Sequence, residues 1–173
     1  MDATKLLRHM AWANQEILTK VSELPDEALD SYMVNPEWTA REIIHHIIRS
    51  AHFYGYRLKI NSLEDLQIGE QDRARYIESE ITPKTSADVK SVLPTLLAAD
   101  EDLVAESMHP DGTVYREWEG KIIARKRSTV ISQAIHHATE HRAQLISALE
   151  FRGFNTISLD DYDLWAYAET IGE

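Results

Sequence analysis

Three observations predict an all-α fold. Apolar residues recur every three or four positions in several separated segments, the repeat of an amphipathic helix. Thr39 and Glu42 form the sequence signature of a capping box at the start of one segment. Gly153 stands at the end of another, where a C-cap glycine belongs. With 173 residues, one domain spanning 1–173 can bury a core large enough to fold without disulfides, and the chain has no cysteine.

Leu6, Met10, Ala13, Ile17 and Val21 define a first helix ending near Leu24-Pro25, its other face polar. His9 borders that stripe with nothing at ligand spacing beside it, so it reads as a satisfied or exposed histidine. The second helix opens at the Thr39/Glu42 box, with Trp38 placed to pack on Ile43 as a hydrophobic staple. Ile43, Ile47, Ser50 and Tyr54 mark its inward stripe, and His46 falls beside it. His45 goes instead with Arg41, Arg49 and His52 on a face that reads as solvated.

Residues 61–84 carry weak periodicity, many charges and a Thr-Pro break, which predicts a connection containing one short helix. A third helix runs from about Ser86 to Met108, with Asp88 in its first turn, where the helix dipole favours a carboxylate, and Pro94 as a bend. His109-Pro110-Asp111-Gly112 is a turn and places His109 in a loop. Val114 to Ile123 then alternates around Glu119-Gly120, predicting a small hairpin or extended crossover before the last long helix. That helix spans about Ser128 to Arg152, and a short closing helix follows over Leu159 to Ala168.

Composition excludes several functions. A formal net charge of -11 leaves no broad basic surface for phosphates. The dense basic run, Lys121 followed by Arg125-Lys126-Arg127, is short, so nucleic acid is not expected as a partner. The N-terminus has no signal-peptide pattern and no segment approaches 18 uninterrupted apolar residues, which gives the expectation of a cytoplasmic protein with no membrane partner. Without cysteine, any metal must be held by nitrogen and oxygen ligands, which raises the interest of the eight histidines.

Val130, Ala134, His137, His141, Leu145 and Ala148 share one stripe of the last long helix, so both histidines point where apolar residues point. Buried imidazoles need a hydrogen-bond partner or a metal. The plainer alternative is two core histidines bonded to carbonyls or carboxylates. A third inward histidine, His46, shifts the balance toward one ion bound by His46, His137 and His141 with an open fourth position. Zincins carry glutamate directly after the first histidine, whereas Ala138 stands there, so a metalloprotease is a poor reading. Glu140 lies on the flank and reads as a solvated surface residue. Zinc is the default ion, although imidazole also suits nickel, iron, copper and manganese. Three neutral ligands leave the ion's charge uncompensated, which would acidify a water or thiol in the fourth position.

Two runs, Trp38-Thr39-Ala40-Arg41-Glu42-Ile43-Ile44-His45-His46 and His137-Ala138-Thr139-Glu140-His141-Arg142-Ala143-Gln144, resemble the histidine motifs of the DinB/YfiT-like metalloenzymes. The likeness extends to Met10-Ala11-Trp12-Ala13-Asn14 and to Leu159 to Tyr167, and so spans nearly the whole chain. The resemblance implies a four-helix bundle, up-down-down-up and often a homodimer, with a divalent metal on His46, His137 and His141. The family usually has Gly after His-Arg, where this chain keeps a small residue, Ala143. Members with assigned chemistry include transferases and isomerases dependent on bacillithiol, mycothiol or glutathione.

The leading expectation is therefore a metal-dependent thiol S-transferase or isomerase acting on a small molecule, with zinc or nickel, or else iron or manganese, and a low-molecular-weight thiol as cofactors. The alternatives are a metal-hydroxide hydrolase, distinguished by turnover without thiol, and a non-catalytic, metal-stabilised dimeric interaction module. Trp12 reads as core. Arg142 reads as a surface ion pair, with anchoring of a thiol cofactor's carboxylate as the other option. The segment Asn61 to Lys84 and the hairpin around Trp118 are expected at the site mouth.

Overall fold

A computed structural model describes residues 3–66 and 82–173. Among these residues the chain is mostly helical, with one small antiparallel sheet. Its elements are α1 (Ala3–Val21), α2 (Ala40–Lys59), α3 (Ser86–Ser107), β1 (Thr113–Trp118), β2 (Lys121–Lys126), α4 (Arg127–Phe151) and α5 (Leu164–Thr170). Short 3-10 turns occupy Asp26–Asp30 and Leu159–Tyr162. Residues 63–66 are helical; most of the connection expected over 61–84 lies outside the described residues.

The apolar stripes become one core. Leu7, Met10, Ile17 and Leu18 of α1 meet Ile43, Ile44 and Leu58 of α2, Leu96 and Leu103 of α3, and Leu145 and Leu149 of α4, all with 2 % exposure or less. Each such side chain contributes about 1.5–3 kcal/mol by leaving water, which makes this stripe-to-stripe burial the main stabilising force. α3 packs against both α1 and α2, and so does α4, while α3 and α4 barely touch. That alternation puts the inward faces of α2 and α4 side by side, which is what brings distant histidines together.

Local signals explain the ends. α1 stops at Val21, one turn before the Leu24-Pro25 break. α3 begins with a capping box: Asp88 N–H donates to the Thr85 hydroxyl, and the Asp88 carboxylate accepts from Thr85 N–H. The reciprocal bonds expected at Thr39 and Glu42 are not made. The Thr39 side chain caps nothing, and its buried hydroxyl has no hydrogen-bond partner. α3 runs unbroken through Pro94, which lies on its exposed side.

β1 and β2 pair from Thr113 with Lys126 to Trp118 with Lys121. The turn between them uses Glu119 and Gly120 at φ 51° and 74°, the positive values that let a two-residue turn follow the strand twist. Arg127, counted above with the basic run, is buried and ties three helices together. Its guanidinium donates to the Leu58 and Glu106 carbonyls, to Asn61 Oδ1 and to the Glu106 carboxylate. Among the described residues, no helix is long and apolar enough to cross a membrane.

Candidate metal centre

The inward stripes of α2 and α4 deliver three imidazoles to one point. His46 Nε2 lies 3.0 Å from His137 Nε2, which lies 3.1 Å from His141 Nε2. All three candidate ligand atoms fall within 4.8 Å of one another. Nitrogens bound tetrahedrally at roughly 2.0–2.1 Å would sit about 3.3 Å apart, so two of these edges need to open by only a few tenths of an ångström. His141 is buried, and His46 and His137 are half-buried, which leaves the approach on their side.

Hydrogen bonding identifies the proton position on one ring. Trp38 Nε1–H can only donate, and it donates to Gln144 Oε1 over 3.1 Å, which fixes the orientation of that amide. The same oxygen lies 2.9 Å from His141 Nδ1, so Nδ1 carries the hydrogen and donates. In the neutral ring the Nε2 lone pair is then bare and directed at His46 and His137. Burial, followed by the neighbouring imidazoles, lowers the His137 pKa from 6.5 to about 4. Burial also lowers that of His46, with His141 the next cause. Both rings are thus neutral at pH 7, the state in which imidazole ligates a metal. The residues fit a divalent ion.

Trp38 is part of this site. Its ring stands edge-on to His46 and His141 at 5.4 and 5.8 Å, and Tyr54 stands edge-on to His137 at 5.6 Å. The sequence reading gave Trp38 a staple role and Tyr54 a place in the core stripe, and it assigned no role to Gln144 within the histidine run. The available signal was spacing: Gln144 is three residues after His141, hence on the same helix face.

Behind the histidines lies a buried polar chain. Arg142 donates to Asn14 Oδ1 at 2.8 Å and to the Thr139 hydroxyl at 3.1 Å, and Asn14 Nδ2 donates to Asp100 Oδ2 at 2.9 Å. Arg142 is only 3 % exposed, which overturns the surface-ion-pair reading. Burial lowers the Arg142 pKa to about 10 and raises that of Asp100 to about 7. Asp100 Oδ1 has no hydrogen-bond partner.

The other singled-out residues lie elsewhere. His45 is half-buried and contacts the Thr82 hydroxyl, so its face is less solvated than expected. His9 meets the Tyr162 carbonyl and stacks with Trp12 and Tyr167, which draws the half-buried Trp12 into an aromatic cluster with the closing segment. Glu140 is exposed, as expected, and Trp165 is 82 % exposed. Trp118 faces Phe53 and Arg57 across a cavity separate from the histidines.

Fold and site together define a mostly helical protein with a three-histidine cluster capable of holding a metal ion. The chain belongs to the DinB family, whose family model matches residues 1–170. Comparison with curated proteins and with solved structures gave no match.

Proposed function

We propose that this protein binds one divalent metal ion through Nε2 of His46, His137 and His141 and uses it as a thiol S-transferase or isomerase on a small molecule. The observation that carries the metal reading is the convergence of three Nε2 atoms, with the His141 lone pair turned inward by Gln144. Zinc or nickel suits three imidazoles best, with iron or manganese next. A bound ion would supply Lewis acidity, the property that lowers the pKa of a low-molecular-weight thiol toward neutral pH. The protein's part is to hold the His46 and His137 rings neutral, to turn His141 Nε2 inward through Gln144, and to shield one side of the cluster with Trp38. No side-chain nucleophile is required.

In this reading α1 to α4 form a single domain over 1–173, an up-down-down-up four-helix bundle. Support comes from the packing of α3 and of α4 against both α1 and α2. A cytoplasmic homodimer acting without nucleic acid or membrane completes the proposal.

The test is metal content per chain of untagged protein after gel filtration without chelator, followed by thiol consumption with candidate electrophiles. About one ion per chain is expected, falling to none in His137→Ala and His141→Ala together with loss of turnover. Turnover retained in a metal-free double variant would overturn the catalytic reading. Turnover without thiol would replace it with hydrolysis.

A further inference from the structure

A second cavity lies between the C-terminal half of α2 and the hairpin, and its chemistry differs from that of the histidine cluster. It measures about 50 Å³ and is lined by Phe53, Tyr115 and Trp118 together with Arg57 and Arg116. At roughly 10–15 Å³ of such volume per water, it takes a few waters or the head of a small anion.

Arg57 is more than nine-tenths buried, with only 8 % of its surface exposed, yet its Nε and Nη2 have no hydrogen-bond partner. Arg116 Nε is also buried without a partner. The Arg116 guanidinium lies 5.1 Å from the centre of the Trp118 ring and 5.9 Å from that of Phe53, which hold it against the pocket wall. Neither arginine is in an ion pair among the described residues. Glu117 also lines the cavity, but one of its carboxylate oxygens accepts from Gly120 N–H at 2.8 Å, turned toward the hairpin turn.

A buried guanidinium without acceptors is costly, and here a second arginine lines the same cavity. Burial, followed by Arg116 and Arg125, lowers the Arg57 pKa to about 10, so Arg57 keeps its charge at pH 7. In a chain of net charge -11 this is a local concentration of positive charge around an aromatic cavity. A guanidinium fork matches a carboxylate in two parallel hydrogen bonds, and the aromatic walls favour an apolar body behind that head.

We propose that this pocket binds a small organic monocarboxylate carrying an aromatic or similarly flat apolar group. The carboxylate pairs with the unpartnered N–H groups of Arg57 and Arg116, whose buried nitrogens turn toward the cavity to meet it, and the apolar group lies along Trp118, which is 48 % exposed. The site is independent of the metal reading.

The probe is benzoate, with benzyl alcohol as its neutral counterpart and inorganic phosphate as the bare anion. Titration is followed by the change in total tryptophan fluorescence, assigned to Trp118 by the Trp118→Phe variant, and by thermal shift at constant ionic strength. Benzoate is expected to bind saturably and to raise the melting temperature, while benzyl alcohol does neither. Arg57→Met and Arg116→Gln should each weaken binding about ten- to hundredfold, the loss of one charge-assisted contact. Trp118→Phe should lose the optical signal and keep the thermal shift. His137→Ala should bind benzoate as the parent does. If Arg57→Met fails to fold, Arg116→Gln and the alcohol control carry the test. No benzoate binding, equal binding of phosphate, or loss of binding in His137→Ala would each overturn the proposal.

Discussion

Replacing Asp100 by asparagine tests the buried polar chain behind the histidines. Asp100 is fully buried, and burial raises its pKa from 3.8 to about 7. A carboxyl group with a raised folded-state pKa binds its proton more tightly when folded. Its contribution is therefore fully present below about pH 4 and is lost as the pH climbs to about 7. At about 1.4 kcal/mol for each pH step, the whole interval corresponds to about 4 kcal/mol, and the part between pH 5 and pH 7 to about 3 kcal/mol. The substituted amide cannot ionise, and its oxygen can still accept from Asn14. The assay is urea unfolding of parent and Asp100→Asn from pH 4 to pH 8, taking the difference in stability so that every other titrating group cancels. The variant should gain on the parent steadily with pH and level off above about pH 7. A flat difference would show that Asp100 is ionised in the folded protein, held so by Arg142 through Asn14, and would refute the reasoning.

Three further outcomes follow from the same contacts. Gln144→Leu removes the acceptor shared by Trp38 and His141, and should weaken metal binding about 10–100-fold in competition with a chromophoric chelator. Gln144→Glu, which keeps an acceptor, should lose much less. Thr85→Ala should cost about 1 kcal/mol in urea unfolding because its hydroxyl caps α3. Thr39→Ala, at a position that caps nothing, should cost under about 0.5 kcal/mol. Arg142→Met should destabilise by more than about 2 kcal/mol, measured in the same way, since one buried and one half-buried hydrogen bond go with it and Asn14 Oδ1 is left without its donor. A surface ion pair would cost under about 1 kcal/mol.

The stripes of α1, α3 and α4 were legible because burial on one face forces a three- and four-residue repeat whatever the partner. The hairpin was legible because Glu119-Gly120 supplies positive φ between alternating residues. His137 and His141 were legible as a pair through spacing within one helix. Their junction with His46 was only an expectation, since nothing local connects positions 91 residues apart. The misreadings share a cause. Thr39-x-x-Glu42 and Thr85-x-x-Asp88 carry similar cap chemistry, and the path of the chain entering each helix decides which pair closes. Arg127 and Arg142 look like surface cations, yet each is buried because distant groups, Glu106 and Asn61 for one and Asn14 for the other, supply acceptors.

By itself the sequence determined the helices, the hairpin turn, the absence of thiolate ligands and the histidines available to a metal, because each depends on residue type or on spacing within one element. Tertiary structure decided which side chains share a volume. It set Gln144 between Trp38 and His141, buried Asp100 opposite Asn14, and left Arg57 and Arg116 beside a cavity with buried nitrogens that lack acceptors. Hydrogen-bond satisfaction, desolvation and charge all depend on which groups lie within a few ångströms, and helix packing sets those distances.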